Sequence, residues 1–197
     1  QSTEETARRR HSSAREVVVA RLYPVLTDSN LGELPSRAEA TVYRCLRDGL
    51  DDSHVVIHGQ SYVAPRMDGG HRDGEADFVI FSAKHGLLTV EVKGGGITYD
   101  PATGWRSVDR TGRSHEIENP VAQARSQKYA ILNQLQSNSA WNVLRRRISL
   151  GHAVPLPDID SIANIQLPEC PEDILGGNAV LRDAAGRQGR VYHSWEG

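Results

Sequence analysis

The sequence predicts an α/β fold in which helices flank a central mixed β-sheet. The first observation is a change of periodicity, because a helical pattern that starts near residue 36 gives way to short β-branched apolar runs between residues 55 and 108. The second is a return to helical periodicity after residue 119, followed by another apolar pair. This order of helix, strands, helix and strand is typical of a sheet that helices cover.

The chain begins with two segments of helical character. Glu4–Leu22 is basic early and apolar later, and Pro24 together with the polar stretch 27–30 marks its end. A Ser-x-x-Glu capping box at Ser36 then starts a second helix, which runs to about residue 48. We expect the first segment to lie outside the core and the second to be part of it.

Three strands are predicted next. Val55–Ile57 is a β-branched run, and Ala76–Phe81 and Leu87–Lys93 are longer apolar runs. The Gly- and charge-rich stretch 64–75 predicts a loop, whereas residues 82–86 have the composition of a hairpin turn. We therefore expect the last two strands to pair as an antiparallel hairpin.

Gly94–Gly96 ends the third strand. This glycine run lacks the spacing of a phosphate-binding or dinucleotide-binding loop, so it predicts a flexible exit from the strand. Beyond it, Ile97–Tyr99 and Trp105–Val108 predict a second strand pair around a strong turn at 100–104.

A long helix follows these strands. The Asn-Pro pair at 119–120 supplies an N-cap and a proline in the first turn of a helix that is expected to reach Leu135. A shorter helix is predicted for residues 140–148, and Ala153–Val154 predict a strand that returns to the sheet. Beyond residue 155 the periodicity weakens.

These patterns divide the chain into an N-terminal helical extension (1–32), a core (33–157) and a C-terminal extension or linker to a partner domain (158–197). Gln1 occupies the first position and Met67 is the only methionine, so we interpret the chain as a trimmed or processed piece, and a missing partner domain is compatible with that interpretation. No apolar run approaches the roughly 20 residues that span a bilayer, and no signal peptide starts the chain. We therefore expect no membrane association.

Composition bounds the cellular setting and the kind of partner. The two cysteines, Cys45 and Cys170, are too few for a disulfide framework and predict a reducing compartment, hence the cytoplasm. Because the net charge is −2, nucleic-acid contact requires local basic patches. One run of three arginines is a candidate for phosphate contact, with a solvated helix face as the alternative: Arg145, Arg146 and Arg147.

Charged side chains interrupt two apolar strands at one level. Side chains two residues apart share a strand face, so Glu91 and Lys93 point the same way and Val92 points the other way. A hairpin closed through residues 82–86 places Asp77 opposite Glu91. Two carboxylates that converge at a sheet end suit a hard cation such as Mg²⁺. The alternatives are an ordinary strand start and a solvated, charge-rich edge strand.

The spacing and context of these residues resemble a known family. Asp77 is followed 14 positions later by Glu91-Val92-Lys93, which looks like the PD-(D/E)xK nuclease signature, although no proline directly precedes Asp77. The apolar flanks and the Asn119-Pro120-Val121-x-Gln123 helix start are similar to the nuclease-related domain (NERD) family over roughly residues 33–157. The resemblance implies a restriction-endonuclease-like core.

The resemblance also implies roles for six residues. They are the metal ligands Asp77, Glu91 and the Val92 carbonyl, the catalytic lysine Lys93, and the supporting catalytic residues Glu39 and Gln123. Capping of its own helix explains Glu39 equally well, and Gln123 is as compatible with a surface position as with the site.

The implied activity is hydrolysis of phosphodiester bonds in DNA with Mg²⁺ or Mn²⁺, with RNA left open as a substrate and a 5′-phosphate on the product. The family is often joined to a helicase or another partner domain, and an oligomer is compatible with the sequence. The alternative is a non-catalytic nucleic-acid- or protein-binding module that keeps the nuclease fold.

Overall fold

The computed structural model describes residues 19–65, 69–141, 148–160, 165 and 175–177. In these ranges the helices are α1 (Asp28–Glu33), α2 (Arg37–Gly49) and α3 (Pro120–Gln136). The strands are β1 (Arg21–Tyr23), β2 (His54–Pro65), β3 (His71–Ser82), β4 (Gly86–Val90), β5 (Gly96–Asp100), β6 (Gly104–Val108), β7 (Ser114–Glu116), β8 (Leu150–Leu156) and β9 (Leu175–Gly177). None of these helices combines the length and the apolar character that a membrane crossing requires.

A mixed sheet in the order β1-β2-β3-β4-β8-β9 forms the centre of the described chain. Strands β2, β3 and β4 are antiparallel neighbours, whereas β1, β8 and β9 run parallel to the strands they pair with. A separate antiparallel sheet has the order β5-β6-β7 and contains the strand pair predicted around residues 100–104. The predicted α/β class with a mixed sheet is confirmed.

Helix α2 covers one face of the central sheet. Ser36 is its N-cap, and the Ser36 hydroxyl accepts a hydrogen bond from the Glu39 N–H at 3.1 Å. Tyr43, which is 1% exposed, packs with Phe78 and other strand side chains in a cluster of buried apolar residues. Each such buried side chain contributes roughly 1.5–3 kcal/mol to stability. The predicted helix is therefore confirmed and is fixed over β3 and β4.

Helix α3 packs against the opposite face. Asn119 is its N-cap, and the Asn119 Oδ1 accepts a hydrogen bond from the Val121 N–H at 3.0 Å. Ile131 joins side chains of β3 and β4 in a second apolar cluster, and the Thr89 hydroxyl donates to the Ala124 carbonyl at 3.3 Å. The helix predicted after the strands is confirmed, and its buried face lies over the odd-numbered side chains of β4.

The N-terminal part of the described chain differs from the prediction. Arg21–Tyr23 pairs in parallel with Val55–Ile57 as the edge strand β1, so the predicted helix does not reach Leu22. Thr27 does not end a helix but caps α1, because its hydroxyl accepts a hydrogen bond from the Asn30 N–H at 3.2 Å. An apolar run this short does not distinguish a helix from a strand. Residues 4–18 of that prediction lie outside the described residues.

Strands β2 and β3 extend beyond the rest of the central sheet. Their register continues through residues 60–65 and 71–76, whereas β4 pairs only with residues 78–82 of β3. We term this two-stranded extension the β2–β3 arm. The loop predicted at 64–75 is therefore wrong over most of its length. The polar composition reflects exposure, because cross-strand pairing overrides the intrinsic preference of these residues.

Other differences concern the C-terminal half. Strand β8 is longer than the predicted pair at 153–154, and the three-residue strands β7 and β9 were not predicted because they carry no apolar pattern long enough to detect. Residues 142–147 hold most of the helix predicted for 140–148 and lie outside the described residues.

The candidate basic patch falls in that same stretch. Its three members, Arg145, Arg146 and Arg147, all lie outside the described residues. Phosphate contact by these arginines stays a prediction.

Candidate active site at the end of β4

The β3–β4 hairpin sets the position of two acidic side chains. Phe78 pairs with Val90, so the next position along each strand places Asp77 opposite Glu91. This is the register that the sequence predicts. The two carboxylates therefore lie at the same level, where β4 ends.

Glu91 is held from two sides. The residue is 3% exposed, and the Lys93 Nζ donates a hydrogen bond to its Oε1 at 2.5 Å. The Gln127 Nε2 donates to its Oε2 at 2.5 Å and also to the Glu75 carbonyl at 3.2 Å. Because a buried carboxylate is costly unless it is paired and hydrogen-bonded, Lys93 and Gln127 together fix its orientation.

Asp77 is the second carboxylate of the site. Its Oδ2 accepts a hydrogen bond from the Val92 N–H at 2.6 Å. Burial raises the pKa of Asp77 to about 7, and the neighbouring charge of Glu91 acts in the same direction, whereas the Val92 hydrogen bond and the Lys93 charge oppose it. Two carboxylates that share one site disfavour each other's ionised form. A positive charge between them relieves that repulsion.

Glu39 approaches the site from α2. Its Oε2 is 3.1 Å from the His58 Nε2, and this hydrogen bond is the main reason that the pKa of Glu39 lies below its usual range. The charge of Glu39 in turn contributes to the raised pKa of Asp77. The Ser36 hydroxyl accepts a hydrogen bond from the Glu39 N–H, a contact that does not involve the Glu39 side chain, whereas the carboxylate itself is engaged by His58.

No hydrogen bond joins Gln123 to these carboxylates in the described part of the chain. It is half-buried and lines a cleft beside the N-terminal turns of α3, whereas Gln127, one helical turn later, donates to Glu91. The sequence does contain a signal for Gln127. It lies three residues after Ala124 and four residues before Ile131, and this spacing places all three on the same buried face of the helix. A polar residue inside an apolar stripe points into the protein.

The segment after β4 is anchored to β8. The Glu91 N–H donates to the Ala153 carbonyl at 3.1 Å, and the Lys93 N–H donates to the Pro155 carbonyl at 3.3 Å. At Gly94, a Cβ would lie 3.0 Å from the Ala38 Cβ, so the glycine allows close packing. Close packing therefore accounts for the first glycine of the run, and the flexibility expected of the whole run stays a prediction.

The oxygen donors of the site match the chemistry of a hard divalent cation. Asp77 and Glu91 supply carboxylates, and the Val92 carbonyl belongs to the same segment. In the part of the chain that the structure describes, no group of three or more His, Cys, Asp or Glu side chains is placed to hold a metal ion. Mg²⁺ needs only one or two protein carboxylates, because waters and substrate phosphates complete its shell. The donor set fits such an ion.

A buried acceptor adjoins the carboxylates. The Gln127 Oε1 is buried and has no hydrogen-bond partner among the described residues, while the Nε2 of the same amide is used twice. A buried acceptor of this kind is expected to bind a proton donor such as an ordered water. The site therefore contains a hydrogen-bond acceptor that the described protein groups leave without a donor.

Comparison with known families places the chain. The family model described as "Nuclease-related domain" (NERD) matches residues 35–150, which is 116 of the 197 residues and includes both site carboxylates, Lys93 and α3. Comparison with curated proteins and with solved structures finds no match. The family match covers more than half of the chain, and its name points to a nuclease-related function. This chain therefore belongs to the nuclease-related domain (NERD) family.

Proposed function

We propose that this chain hydrolyses phosphodiester bonds of DNA with the help of Mg²⁺ or Mn²⁺. The observation that carries the proposal is the placement of Asp77 opposite Glu91, with the Lys93 Nζ 2.5 Å from the Glu91 Oε1. Two acidic groups that can hold a cation and one cationic group beside them suit metal-assisted phosphoryl hydrolysis. Membership of the nuclease-related family supports the same reaction class.

Asp77, Glu91 and the carbonyl of Val92 are the groups that would hold the cation. When bound, the ion polarises a phosphoryl oxygen and lowers the pKa of a bound water. The fit rests on the pKa of Asp77, which burial raises and the neighbouring Glu91 charge raises further, and on the Gln127 Oε1, which has no hydrogen-bond partner among the described residues. Both features are expected of a site that binds a hydrated cation.

Lys93 acts on the water and on the phosphate. Its side chain is 23% exposed, so its ammonium group is accessible from the site while it remains bound to Glu91. It orients the attacking water and neutralises charge that develops on the phosphate. Because Lys93 and Glu91 are two residues apart on an extended segment, both side chains face the same reacting group.

Two further residues position this set. Gln127 fixes the direction of the Glu91 carboxylate through its amide. Glu39 and His58 form a pair at the edge of the site, and the negative charge of Glu39 acts on Asp77. We assign Glu39 and Gln127 positioning roles, while a direct role for Gln123 has no contact to support it.

One observation favours the alternative of a non-catalytic binding module. Both oxygens of Glu91 are engaged by Lys93 and Gln127, and Asp77 is engaged by Val92, so protein groups alone already bind these carboxylates. A binding module that keeps the nuclease fold but does not cleave needs no metal to hold these carboxylates in place. The alternative predicts nucleic-acid binding that is independent of metal and unaffected by loss of Lys93.

The test is a cleavage assay on labelled single-stranded, linear duplex and circular DNA, with RNA in parallel. We expect Mg²⁺-dependent cleavage by the wild type, none in EDTA, and a loss of roughly a hundredfold or more in Asp77→Asn. The Asn side chain keeps an acceptor for the Val92 N–H, so the fold is preserved. Cleavage that persists in both EDTA and Asp77→Asn would overturn the proposal.

A further inference from the structure

A cleft lies beside the proposed active site, between the β2–β3 arm and the first turns of α3. Its volume is about 280 Å³, and its polar lining comprises Tyr62, Arg72, Glu118, Asn119, Gln123 and Ser126. We term it the α3 cleft. Small-molecule sites in proteins have volumes of about 300 Å³ or more, so the α3 cleft is at the lower limit of that range. It has room for one small ring-bearing group and not for a double helix.

The α3 cleft adjoins the buried contact to Glu91. Gln123 and Gln127 are four residues apart and share a helix face, about 6 Å apart along the axis, and Gln127 donates to Glu91. Tyr62, which lines the cleft, is a second connection to Glu91. Burial raises the pKa of Tyr62, and the negative charge of Glu91 raises it further, so the two side chains interact electrostatically. Gln127 and Tyr62 therefore connect the α3 cleft to the Glu91 carboxylate of the proposed site.

The cleft carries the groups that bind unpaired nucleic acid. The guanidinium of the exposed Arg72 offers charge-assisted hydrogen bonds to phosphate. The Tyr62 ring rests on the β3 backbone at Gly74, where a Cβ would lie 2.5 Å from the Tyr62 Cζ. In the part of the chain that the structure describes, no hydrogen bond or ion pair engages the side chains of Arg72, Gln123 or Ser126. Aromatic rings beside cationic groups are typical of single-strand binding.

Glu118 is the acidic member of the lining. Its exposed carboxylate repels phosphate, so backbone contact falls to the opposite wall, which Arg72 provides from β3. A carboxylate accepts hydrogen bonds from amino groups at base edges, as amide side chains such as Gln123 also do. The two walls of the cleft therefore differ in chemistry. The β2–β3 arm provides the cationic Arg72, whereas the α3 side provides Glu118 and Gln123, which can hydrogen-bond to the edge of a base.

We propose that the α3 cleft binds one unpaired nucleotide of the substrate strand, so that single-stranded DNA or an unpaired DNA end is preferred to paired duplex. The base stacks on Tyr62, and its phosphate contacts Arg72. This inference rests on the proposed nuclease function and names the form of substrate that the same site takes.

The first test is binding in EDTA, where no cleavage occurs, using the full chain and fluorescence anisotropy. The probes are a short labelled oligothymidylate and a blunt hairpin duplex. We expect the wild type to bind the single strand roughly tenfold more tightly than the duplex. In Arg72→Ala and in Tyr62→Leu, the affinity for the single strand is expected to fall by about five- to tenfold. The Arg72→Ala change is also expected to reduce the salt dependence of binding by about one phosphate contact.

Matched variants keep the test specific. Arg125→Ala removes the same charge from an exposed position of α3 outside the cleft, and Tyr62→Phe keeps the ring, so both are expected to bind within about twofold of the wild type. Thermal unfolding checks that Tyr62→Leu is folded, and Arg72 is exposed enough to be replaced without that concern. Equal affinity for single strand and duplex, or equal losses in Arg72→Ala and Arg125→Ala, overturns the inference.

Cleavage assays separate this inference from the proposed function. If the wild type cleaves DNA while Arg72→Ala and Tyr62→Leu keep its rates on single strands and duplexes, the cleft inference fails and the nuclease proposal stands. If the chain binds single strands through Arg72 and Tyr62 but cleaves nothing with Mg²⁺ or Mn²⁺, the nuclease proposal fails and the cleft remains a single-strand binding site.

Discussion

Gln127 donates a hydrogen bond to Glu91 inside the protein, with 2.5 Å between the amide Nε2 and the carboxylate Oε2. Gln127 is fully buried and Glu91 is 3% exposed, so bulk water does not replace either partner. The same amide also binds the Glu75 carbonyl, which ties α3 to the backbone of β3. In the proposed nuclease this contact sets the direction of a metal-binding carboxylate.

Loss of the Gln127 amide is expected to weaken metal binding. In Gln127→Ala, Glu91 keeps only Lys93 as a side-chain partner, so we expect the affinity for Mn²⁺ to fall by roughly ten- to a hundredfold. The free energy of unfolding is expected to fall by about 1–3 kcal/mol, because a buried acceptor loses its donor. Isothermal titration with Mn²⁺ and urea unfolding measure the two effects.

The control for this prediction is Gln136→Ala, which removes the same side chain from an exposed position at the end of α3. Its free energy of unfolding is expected to stay within about 0.5 kcal/mol of the wild type. Wild-type Mn²⁺ affinity in Gln127→Ala would show that the contact to Glu91 is structural and does not serve a metal.

The raised pKa of Asp77 makes stability depend on pH when no metal is bound. The pKa is about 7 in the folded protein against an ordinary value of 3.8, so the folded state binds more protons than the unfolded state between these values. The stabilisation from protonated Asp77 is therefore complete below about pH 4 and is lost as pH rises through 7. Relative to Asp77→Asn, the wild type is expected to lose at most about 4 kcal/mol across that window.

Urea unfolding in EDTA at several pH values between 4 and 8 measures this difference. Asp77→Asn is the matched control, because its amide accepts the Val92 hydrogen bond without titrating. Added Mg²⁺ is expected to reverse the slope for the wild type alone, since a cation favours the ionised carboxylate. Parallel pH profiles for the two proteins would contradict the assignment.

The core of the candidate site could be predicted because its determinants are local. The alternation of side chains along a strand places Glu91 and Lys93 on one face, and a short turn between two strands fixes Asp77 opposite Glu91. The capped starts of α2 and α3 were predictable for the same reason, since each depends on a few adjacent residues. These features need no knowledge of distant contacts.

The missed features depend on pairing between distant segments. Leu22 is buried because β1 adds to the edge of β2, and nothing adjacent in the sequence distinguishes that strand from the end of a helix. The β2–β3 arm is polar, so its strand character comes from the partner strand. The choice of Gln127 over Gln123 depends on which turn of α3 lies over Glu91, and this depends on how the helix docks.

Gly86 is required where β4 begins. Its φ is +96°, and a Cβ there would lie 2.1 Å from the Ser149 carbonyl oxygen. Gly86→Ala is therefore expected to lower the free energy of unfolding by about 2–5 kcal/mol, through backbone strain together with a clash against rigid backbone. Gly104→Ala is the control, because its φ of +77° is similar but no atom lies within 4 Å of the added Cβ.

The comparison separates the two causes. Gly104→Ala is expected to cost only the conformational term, about 1–2 kcal/mol. Urea unfolding of both variants gives the difference directly. Equal losses at Gly86 and Gly104 would mean that the Ser149 segment yields to the methyl group, and that packing between β4 and the start of β8 is looser than the geometry indicates.

Replacement of Lys93 distinguishes a nuclease from a binding module. Lys93→Met keeps most of the side-chain length but removes the donor to Glu91, so we expect the cleavage rate to fall by roughly a hundred- to a thousandfold. Affinity for an oligonucleotide in EDTA is expected to change by less than about threefold, because the Lys93 ammonium group is already paired with Glu91 in the free protein and contributes little to phosphate binding there. Single-turnover cleavage and fluorescence anisotropy measure the two quantities separately.

Lys84→Met makes the same change of charge in the exposed turn of the same hairpin, and its cleavage rate is expected to match the wild type. If the cleavage rate fell by a similar factor in both variants, the cause would be the general electrostatic field of the hairpin, and Lys93 would have no specific role. Unchanged binding in Lys93→Met, with no cleavage by either the variant or the wild type, would favour the binding module. A loss confined to the chemical step of Lys93→Met is the outcome that the pairing with Glu91 predicts, because that contact holds the ammonium group where charge develops on the phosphate.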